Sequence, residues 1–215
     1  MRAAELLILA GLCALLCVTS SLKICAFNVQ SFGPSKANNQ KVMTILLKIL
    51  SRCDLCLIQE VRDSKGAAVQ ALVEELNRSN VLKVKDHYQY PELEGEDPNE
   101  TNVFSRGPFI IRFQSPTTLV KDFVLIGHHT SPKTAMKEID ELYTVVNRVH
   151  QKWNTDNVII LGDLNAGCAY VTMKGLRDVR LKSDPQISLA LEVSDHFPVE
   201  VELKPTHRYL LRNEL

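Results

Sequence analysis

Short apolar segments alternate with amphipathic segments over the first third of this chain. Residues 22–29 and 55–59 are apolar runs with the length of a buried strand. Residues 37–52 and 67–77 instead repeat apolar side chains at the spacing of one helix face. A strand, a helix, a strand and a helix in this order predict an α/β fold in which helices cover a sheet.

The remainder of the chain continues this pattern with longer connections. Residues 109–113, 123–126, 158–161 and 198–203 are predicted strands, and residues 134–153 form the most regular amphipathic helix. A chain of 215 residues has enough material for one domain with a substantial core. The predicted fold class is therefore α/β.

The N-terminus is typical of a secretory signal peptide. Arg2 precedes an apolar run at residues 6–18, and small polar residues follow it. We predict a signal peptide over residues 1–21, a domain over residues 22–204 and a polar tail over residues 205–215. The tail ends in Arg-Asn-Glu-Leu, which is similar to a luminal retrieval signal, with an ordinary tail as the alternative. The mature chain is expected to be secreted or luminal in the endoplasmic reticulum, without a membrane anchor.

The mature chain keeps the four cysteines Cys25, Cys53, Cys56 and Cys168. They permit three disulfide pairings, among which the sequence does not choose. Cys56 lies in an apolar strand pattern, which favours a buried free thiol over the redox or zinc role that its spacing from Cys53 also suits. The sequons at Asn77 and Asn99 predict glycosylation of a secreted protein.

The charges of the chain balance, because 25 Lys and Arg side chains face 25 Asp and Glu side chains. A formal net charge of zero argues against a protein that coats nucleic acid through counterion release. It remains compatible with an enzyme that holds a few phosphate groups through a metal ion and two or three arginines.

Polar side chains stand at the ends of several predicted strands. They are Asn28, Glu60, the neighbours His128 and His129, Asp163 and Asn165 of a Gly-Asp-Leu-Asn turn, and Asp195 and His196 of a Ser-Asp-His triplet. Strand ends at one edge of a sandwich converge, so these side chains are predicted to share one site. Carboxylate and amide oxygens suit Mg²⁺ or Ca²⁺, and imidazole exchanges protons near neutral pH. Taken singly, each residue has a plainer explanation as a turn cap, an ion-pair partner or a loop histidine.

Together, these motifs resemble the deoxyribonuclease I family and are closest to its deoxyribonuclease I and deoxyribonuclease gamma branch. Residues 104–106, 120–124 and 137–142 are similar to the gamma type. The resemblance implies a four-layer sandwich of two mixed β-sheets between helices. It also implies endonucleolytic hydrolysis of DNA, helped by Mg²⁺ (or Mn²⁺) and Ca²⁺. We expect a monomer, and the sequence does not show whether actin binds.

The resemblance also implies roles for individual residues. The divalent ion would be held by Asn28, Glu60, Asp163, Asn165 and Asp195. Catalysis would use the acid–base pair His129 and His196 together with Asp195. DNA would be contacted by Arg62, Arg106 and Tyr170. His128 is expected to be a bystander. These residue types agree with the chemistry, because phosphodiester hydrolysis needs an activated water and a protonated leaving group.

Two segments of the family pattern are absent from this chain, one after Arg78 and one after Pro185. In the family, each segment carries a carboxylate that orients one catalytic histidine, and the segments include core strands. We therefore expect a less stable fold with an exposed sheet edge, and much weaker cutting. Another acid such as Asp63 or Asp86 is the candidate for taking over the orienting role.

Two alternatives stand beside a secreted endonuclease. A catalytically impaired or silent relative would bind DNA or a protein partner without cutting, and the missing carboxylates favour it. A phosphatase or abasic-site nuclease of the same fold would use similar residues, but the predicted signal peptide and sequons disfavour it. The identities of the strand-end residues favour the endonuclease.

Overall fold

The computed structural model describes residues 21–76, 82–90, 103–167 and 199–204. The strands are β1 (Leu22–Phe32), β2 (Leu55–Val61), β3 (Lys83–Gln89), β4 (Phe109–Gln114), β5 (Asp122–Gly127), β6 (Val158–Leu161) and β7 (Val199–Leu203). The helices are α1 (Pro34–Ala37), α2 (Gln40–Leu50), α3 (Ala67–Leu76) and α4 (Ala135–Trp153). Within these ranges, no helix is both long and apolar enough to cross a bilayer. The predicted alternation of strands and helices is confirmed.

The strands form two mixed β-sheets, as predicted. Sheet A has the order β2-β1-β7, with β1 parallel to β2 and antiparallel to β7. Sheet B has the order β3-β4-β5-β6, in which only the β5–β6 pair is parallel. The carboxyl ends of the two parallel pairs meet at one edge of the sandwich, where the side chains of Asn28 and Gln59 donate hydrogen bonds to the Asp163 carboxylate and the His128 carbonyl. This edge carries the candidate site.

Three clusters of buried apolar side chains hold the layers together. The cluster between the sheets contains Leu22, Ile24, Ala26, Phe113, Phe123, Leu125 and Leu161. The cluster under α4, on the outer face of sheet B, includes Ile110, Val124, Ile126, Ile139, Leu142 and Val146. The cluster under α2 and α3, on the outer face of sheet A, includes Phe32, Met43, Leu46, Leu50 and Leu72. The order helix, sheet, sheet, helix confirms the predicted four-layer sandwich.

The helix predicted over residues 37–52 corresponds to α2, Gln40–Leu50, whereas Ala37 ends the short helix α1. Asn39 separates the two helices in an extended conformation with φ −90° and ψ 100°. The Asn39 side chain accepts hydrogen bonds from the N–H groups of Lys41 and Val42, which begin α2. A capping asparagine therefore sets the start of α2, because it satisfies N–H groups that have no partner inside the helix.

Strand β3 was not predicted, because its sequence lacks a clear apolar alternation. It lies at the edge of sheet B with Lys83 and Lys85 exposed, and charged edges of this kind discourage unwanted strand pairing. Contacts with α4 hold it in place. The Trp153 indole donates to Oδ2 of Asp86 at 3.2 Å, and its ring packs edge-on against Tyr88. Tertiary contacts rather than local pattern therefore define this strand.

Strand β2 is less buried than its apolar sequence predicts. Leu55, Leu57 and Ile58 are half-buried, and Val61 is 42% exposed. Among the described strands, only β1 pairs with β2, so the other edge of β2 meets no described strand.

One disulfide joins Cys25 of β1 to Cys53, which follows α2, with 6.0 Å between the Cα atoms. Glu200 lies close to both sulfurs, but sulfurs joined in a disulfide do not bind a metal ion. Cys56 is free, as predicted, and half-buried. Burial raises the pKa of the Cys56 thiol to about 12, so it is not a reactive thiolate. Cys168 lies outside the described residues.

Candidate active site

The side chain of Asn28 joins two acidic residues from the two sheets. Its Nδ2 donates to Oε1 of Glu60 at 3.1 Å and to Oδ2 of Asp163 at 3.0 Å. The backbone N–H of Gln30 donates to Oδ1 of Asn28 at 2.9 Å, which sets the orientation of the amide. Asn28 is buried. Through its two hydrogen bonds, this single amide holds the carboxylates of Glu60 and Asp163 side by side.

The backbone turns sharply beside Asn28. Gln30, Ser31 and Glu60 adopt left-handed conformations, with φ values of 50°, 67° and 59°. Such conformations cost non-glycine residues on the order of 1–3 kcal/mol each and persist only where other contacts compensate. The N–H of Ser31 donates to Oε2 of Glu60 at 3.1 Å, and the Lys36 ammonium donates to the carbonyl of Gln30. A hydrogen bond therefore attaches this strained turn to Glu60, a candidate metal ligand.

Gln59 ties the two sheets together at the site and was not among the predicted site residues. Its Nε2 donates to the carbonyl of His128 at 2.8 Å, and its Oε1 accepts from the backbone N–H of Asp163 at 2.8 Å. Gly162, with φ 139°, permits this close approach, because a Cβ atom there would lie 2.0 Å from the carbonyl oxygen of His128. The sequence signal that could have identified Gln59 is its position beside Glu60 at the end of an apolar strand.

Asp163 uses both carboxylate oxygens within the site. Its Oδ1 accepts from the backbone N–H of Asn165 at 3.0 Å, and its Oδ2 lies 3.7 Å from Nε2 of His129. The side-chain amide of Asn165 donates to the carbonyl of Thr130 at 2.9 Å. Asn165 therefore links the turn that carries Asp163 to the segment that carries His129.

The two neighbouring histidines have different surroundings. His129 lies beside Asp163, with its side chain 15% exposed. The His128 side chain is fully buried, with Nε2 3.2 Å from Oε2 of Glu138 and its ring edge-on to Phe104. Burial lowers the pKa of His128 to about 4, although the charge of Glu138 opposes this shift. His128 is therefore neutral at pH 7 and faces away from the acids of the site, consistent with the bystander role expected for it.

Both described arginines that were predicted to contact DNA are exposed at this edge. Arg106 reaches the carbonyl of His129, with 3.4 Å between its Nη1 and that oxygen. Arg62 follows Glu60 by two residues along the chain. The hydrogen bond from Asn28 is the largest cause that holds the pKa of the Glu60 carboxyl below its ordinary value. The charges of His129 and Arg62 lower that pKa further, although partial burial opposes them.

The carboxylates of Glu60 and Asp163 fit a divalent cation. Each has one oxygen held by a backbone N–H and another directed at the Asn28 amide, so both groups are oriented before an ion arrives. The lowered pKa keeps Glu60 ionised at neutral pH, as a metal ligand must be. Hard oxygen ligands of this kind suit Mg²⁺ and Ca²⁺. In the structure the Asn28 nitrogen, rather than its oxygen, faces the carboxylates, so Asn28 orients the acids directly.

Several predicted residues lie outside the described part of the chain, namely Asp195, His196, Tyr170, Asn77 and Asn99. The two acids considered as substitutes for the missing orienting carboxylates are described, and both are engaged elsewhere. Asp63 accepts from two N–H groups at the start of α3, and Asp86 accepts from the Trp153 indole. The acid beside His129 is instead Asp163. Among the described residues, neither Asp63 nor Asp86 therefore orients His129.

With this geometry established, comparison with known proteins identifies the family. Residues 25–208 match the Endonuclease/Exonuclease/phosphatase family. The chain belongs to this family. Deoxyribonuclease gamma from Mus musculus is 39% identical over 198 residues, which cover 78% of this chain but 63% of the relative. Deoxyribonuclease-1 from Sus scrofa is 37% identical over 214 residues, which cover 86% of this chain and 75% of the relative.

These relatives confirm that the chain resembles the deoxyribonuclease I family. The chain spans 63% of the length of the gamma-type relatives from Mus musculus and Homo sapiens. A crystal structure of an endonuclease/exonuclease/phosphatase from Bacteroides vulgatus superposes with a TM-score of 0.52 at 12% identity, covering 77% of this chain and 72% of that one. That similarity supports the fold alone.

Proposed function

We propose that this family member is a divalent-metal-dependent endonuclease that hydrolyses DNA phosphodiester bonds. The observation that carries the proposal is the single Asn28 amide that joins Glu60 and Asp163 beside His129. Two carboxylates for a cation and one imidazole for a proton are groups that phosphodiester hydrolysis requires. The similarity to proteins named deoxyribonucleases supports DNA as the substrate class.

The metal is assigned to the acidic pair. Glu60 and Asp163 would hold Mg²⁺ or Mn²⁺, with Asp195 as a further ligand and Asn28 keeping the two described acids in register. When bound, such an ion neutralises phosphate charge and lowers the pKa of water. The resemblance to the deoxyribonuclease I family implies Ca²⁺ as a second ion that supports the activity.

His129 is assigned the proton transfer, with His196 as its proposed partner. The 3.7 Å between Nε2 of His129 and Oδ2 of Asp163 exceeds a hydrogen bond, so Asp163 does not fix the rotation of the imidazole ring. Catalysis should therefore be slower than in a relative whose histidines are each held by a carboxylate. Arg62 and Arg106 would contact DNA phosphates, which position the duplex without reading its sequence.

We further propose that the mature chain works as a monomer, secreted or in the lumen of the endoplasmic reticulum. The signal-peptide pattern and the sequons support this location. The Cys25–Cys53 disulfide supports it independently, because such bonds persist in oxidising compartments and are rare in the cytosol.

A second candidate is a relative that binds DNA or a protein partner without cutting. The absence of both orienting segments favours it, as does the unfixed rotation of His129. The two candidates share the acidic pair and the exposed arginines, and they differ in turnover.

Nicking of supercoiled plasmid by the secreted chain separates the two candidates. The endonuclease predicts nicking with Mg²⁺ that stops in excess chelator and in Glu60→Gln, but continues in Glu75→Gln, a matched change at an exposed position of α3. Undiminished nicking in chelator contradicts the metal assignment. A chain that melts cooperatively and binds DNA without nicking it is the silent relative.

A further inference from the structure

Glu138 is a fully buried carboxylate that accepts four hydrogen bonds. The hydroxyl groups of Ser105 and Thr134 donate to Oε1 at 2.9 Å and 2.5 Å. The N–H of Ser131 donates to the same oxygen at 3.2 Å, and Nε2 of His128 lies 3.2 Å from Oε2. Burial raises the pKa of Glu138, but the hydrogen bonds, led by the one from Thr134, lower it by more, so the group is ionised. A buried charge with this many donors holds its neighbours firmly.

The donors come from the two segments that carry proposed site residues. Ser105 precedes Arg106 directly, and Ser131 follows His129 by two residues. Glu138 itself lies in the first turn of α4, which packs its apolar face against sheet B. One carboxylate on a rigid helix is therefore hydrogen-bonded to both surface segments.

We propose that Glu138 is a positioning residue that holds the Arg106 segment and the His129 segment in place at the DNA-binding edge. The role of these segments toward DNA rests on the proposed function, whereas their attachment to Glu138 does not. The Arg106 guanidinium also touches the carbonyl of His129, so displacement of one segment removes a support of the other. Glu138 touches neither DNA nor the reacting atoms in this assignment.

His128 provides a matched control for this proposal. It supplies one of the four donors to Glu138, and its Nδ1 is buried with no hydrogen-bond partner among the described residues. Replacement by leucine removes the imidazole and keeps an apolar group against Phe104. The contacts of Glu138 with Ser105 and Ser131 remain. His128→Leu therefore disturbs the same buried pocket without releasing the two segments.

The rate of trypsin cleavage measures how firmly Glu138 holds the two segments, and it requires no nuclease assay. Trypsin cuts after Arg106, inside one attached segment, and after Lys65, in an exposed loop that does not contact Glu138. Loss of hydrogen bonds to a charged group shifts a local opening equilibrium on the order of tenfold or more. We expect cutting after Arg106 to rise ~10-fold in Glu138→Ala and less in Glu138→Gln, which keeps one accepting oxygen. Cutting after Lys65 should stay unchanged, as should both rates in His128→Leu.

Mass spectrometry of the new N-termini at Gly107 and Gly66 gives the two rates. Equal rates after Arg106 in wild type and Glu138→Ala overturn the proposal, whatever the nuclease activity. A rise of equal size in His128→Leu also overturns it, because general loosening of the pocket then explains the result. A rise at both sites in Glu138→Ala means global unfolding. In that case the proposal requires that cutting after Arg106 be faster in Glu138→Gln than in wild type and in His128→Leu, and equal rates in the three proteins overturn it.

Plasmid nicking adds the functional readout. Arg106→Ala should mainly raise KM, with a smaller loss of kcat than in Glu138→Gln. Glu138→Gln should raise KM and lower kcat together, because it loosens both segments. A kcat and KM in Glu138→Gln equal to wild type contradict the positioning role. If wild type does not nick DNA, the proposed function fails, while the trypsin comparison still decides whether Glu138 holds the segments.

Discussion

Nε2 of His129 and Oδ2 of Asp163 lie 3.7 Å apart at the ends of two neighbouring parallel strands. The same Asp163 oxygen accepts from the Asn28 amide, which also holds Glu60. One carboxylate therefore faces both the proposed metal position and the proposed proton-transfer group. Changes at Asp163 should affect metal binding and histidine chemistry together, whereas changes at Glu60 should affect mainly the metal.

Removal of either acidic ligand should weaken metal binding. We expect Glu60→Gln and Asp163→Asn to lower the affinity for Mn²⁺ at least ~10-fold, because each removes a charged oxygen donor from the pair. Isothermal titration with Mn²⁺ measures this, with Glu75→Gln as the control. Unchanged affinity in both ligand variants would show that the ion binds elsewhere.

The two neighbouring histidines should respond differently to substitution. His129→Ala should lower kcat ~10²- to 10⁴-fold, the range expected for loss of a general acid or base. His128→Leu should nick within a few-fold of wild type, because that side chain faces Glu138 rather than the acids of the site. Initial nicking rates at saturating plasmid measure both. A dead His128→Leu together with an active His129→Ala would reverse the assignment.

Acid should destabilise the fold through His128. Burial lowers its pKa from 6.5 to about 4, so the unfolded chain binds a proton that the folded chain excludes between these values. The free energy of unfolding should therefore rise with pH across this window and fall on acidification, by up to roughly 3 kcal/mol. Urea unfolding at pH 7, 6, 5 and 4 measures the slope. In His128→Leu, the part of the pH dependence that His128 causes should be missing. An unchanged slope would show that other groups cause it.

The disulfide should contribute substantially to stability. Cys25 and Cys53 are 28 residues apart in sequence, and closing a loop of this length is worth about 3–4 kcal/mol in the chain-entropy model. We expect a Cys25→Ala/Cys53→Ala double variant to lose stability of this order in urea. Cys56→Ala, which removes the free half-buried thiol, is the comparison and should cost clearly less. Equal losses in the two variants would count against the disulfide as the cause.

The exposed edge of β2 should limit solubility. Val61 of β2 is 42% exposed, and Val73 of α3, which lines the same cavity as Val61, is 60% exposed. The second edge of β2 meets no described strand. Valine-to-lysine changes at both positions should reduce concentration-dependent light scattering with little change in Tm, because charge on an open edge discourages strand addition. Leu119→Lys, at a position 53% exposed and outside β2 and α3, serves as the control. Equal protection by this control would point to net charge rather than to the β2 edge.

The sequence predicted the fold class and the strand-end placement of Asn28, Glu60, His129 and Asp163, and its resemblance to a known family implied the four-layer sandwich. The fold class and the placement follow from local periodicity and from motifs of a few residues, which act through short-range packing and backbone geometry. The resemblance to deoxyribonucleases depends on the same short motifs. Strand β3 escaped prediction, because its lysines and histidine form no local pattern and its place depends on contacts with Trp153.

The tertiary structure decided which partners these residues have. Gln59 bridges the two sheets and Glu138 gathers two surface segments, and both depend on contacts between residues far apart in the chain. The choice of Cys53 as the partner of Cys25, and the opposite surroundings of His128 and His129, were decided in the same way. A sequence pattern assigns a residue to a strand, a turn or a helix. The folded chain alone determines which distant donor, acceptor or sulfur lies within bonding distance of it.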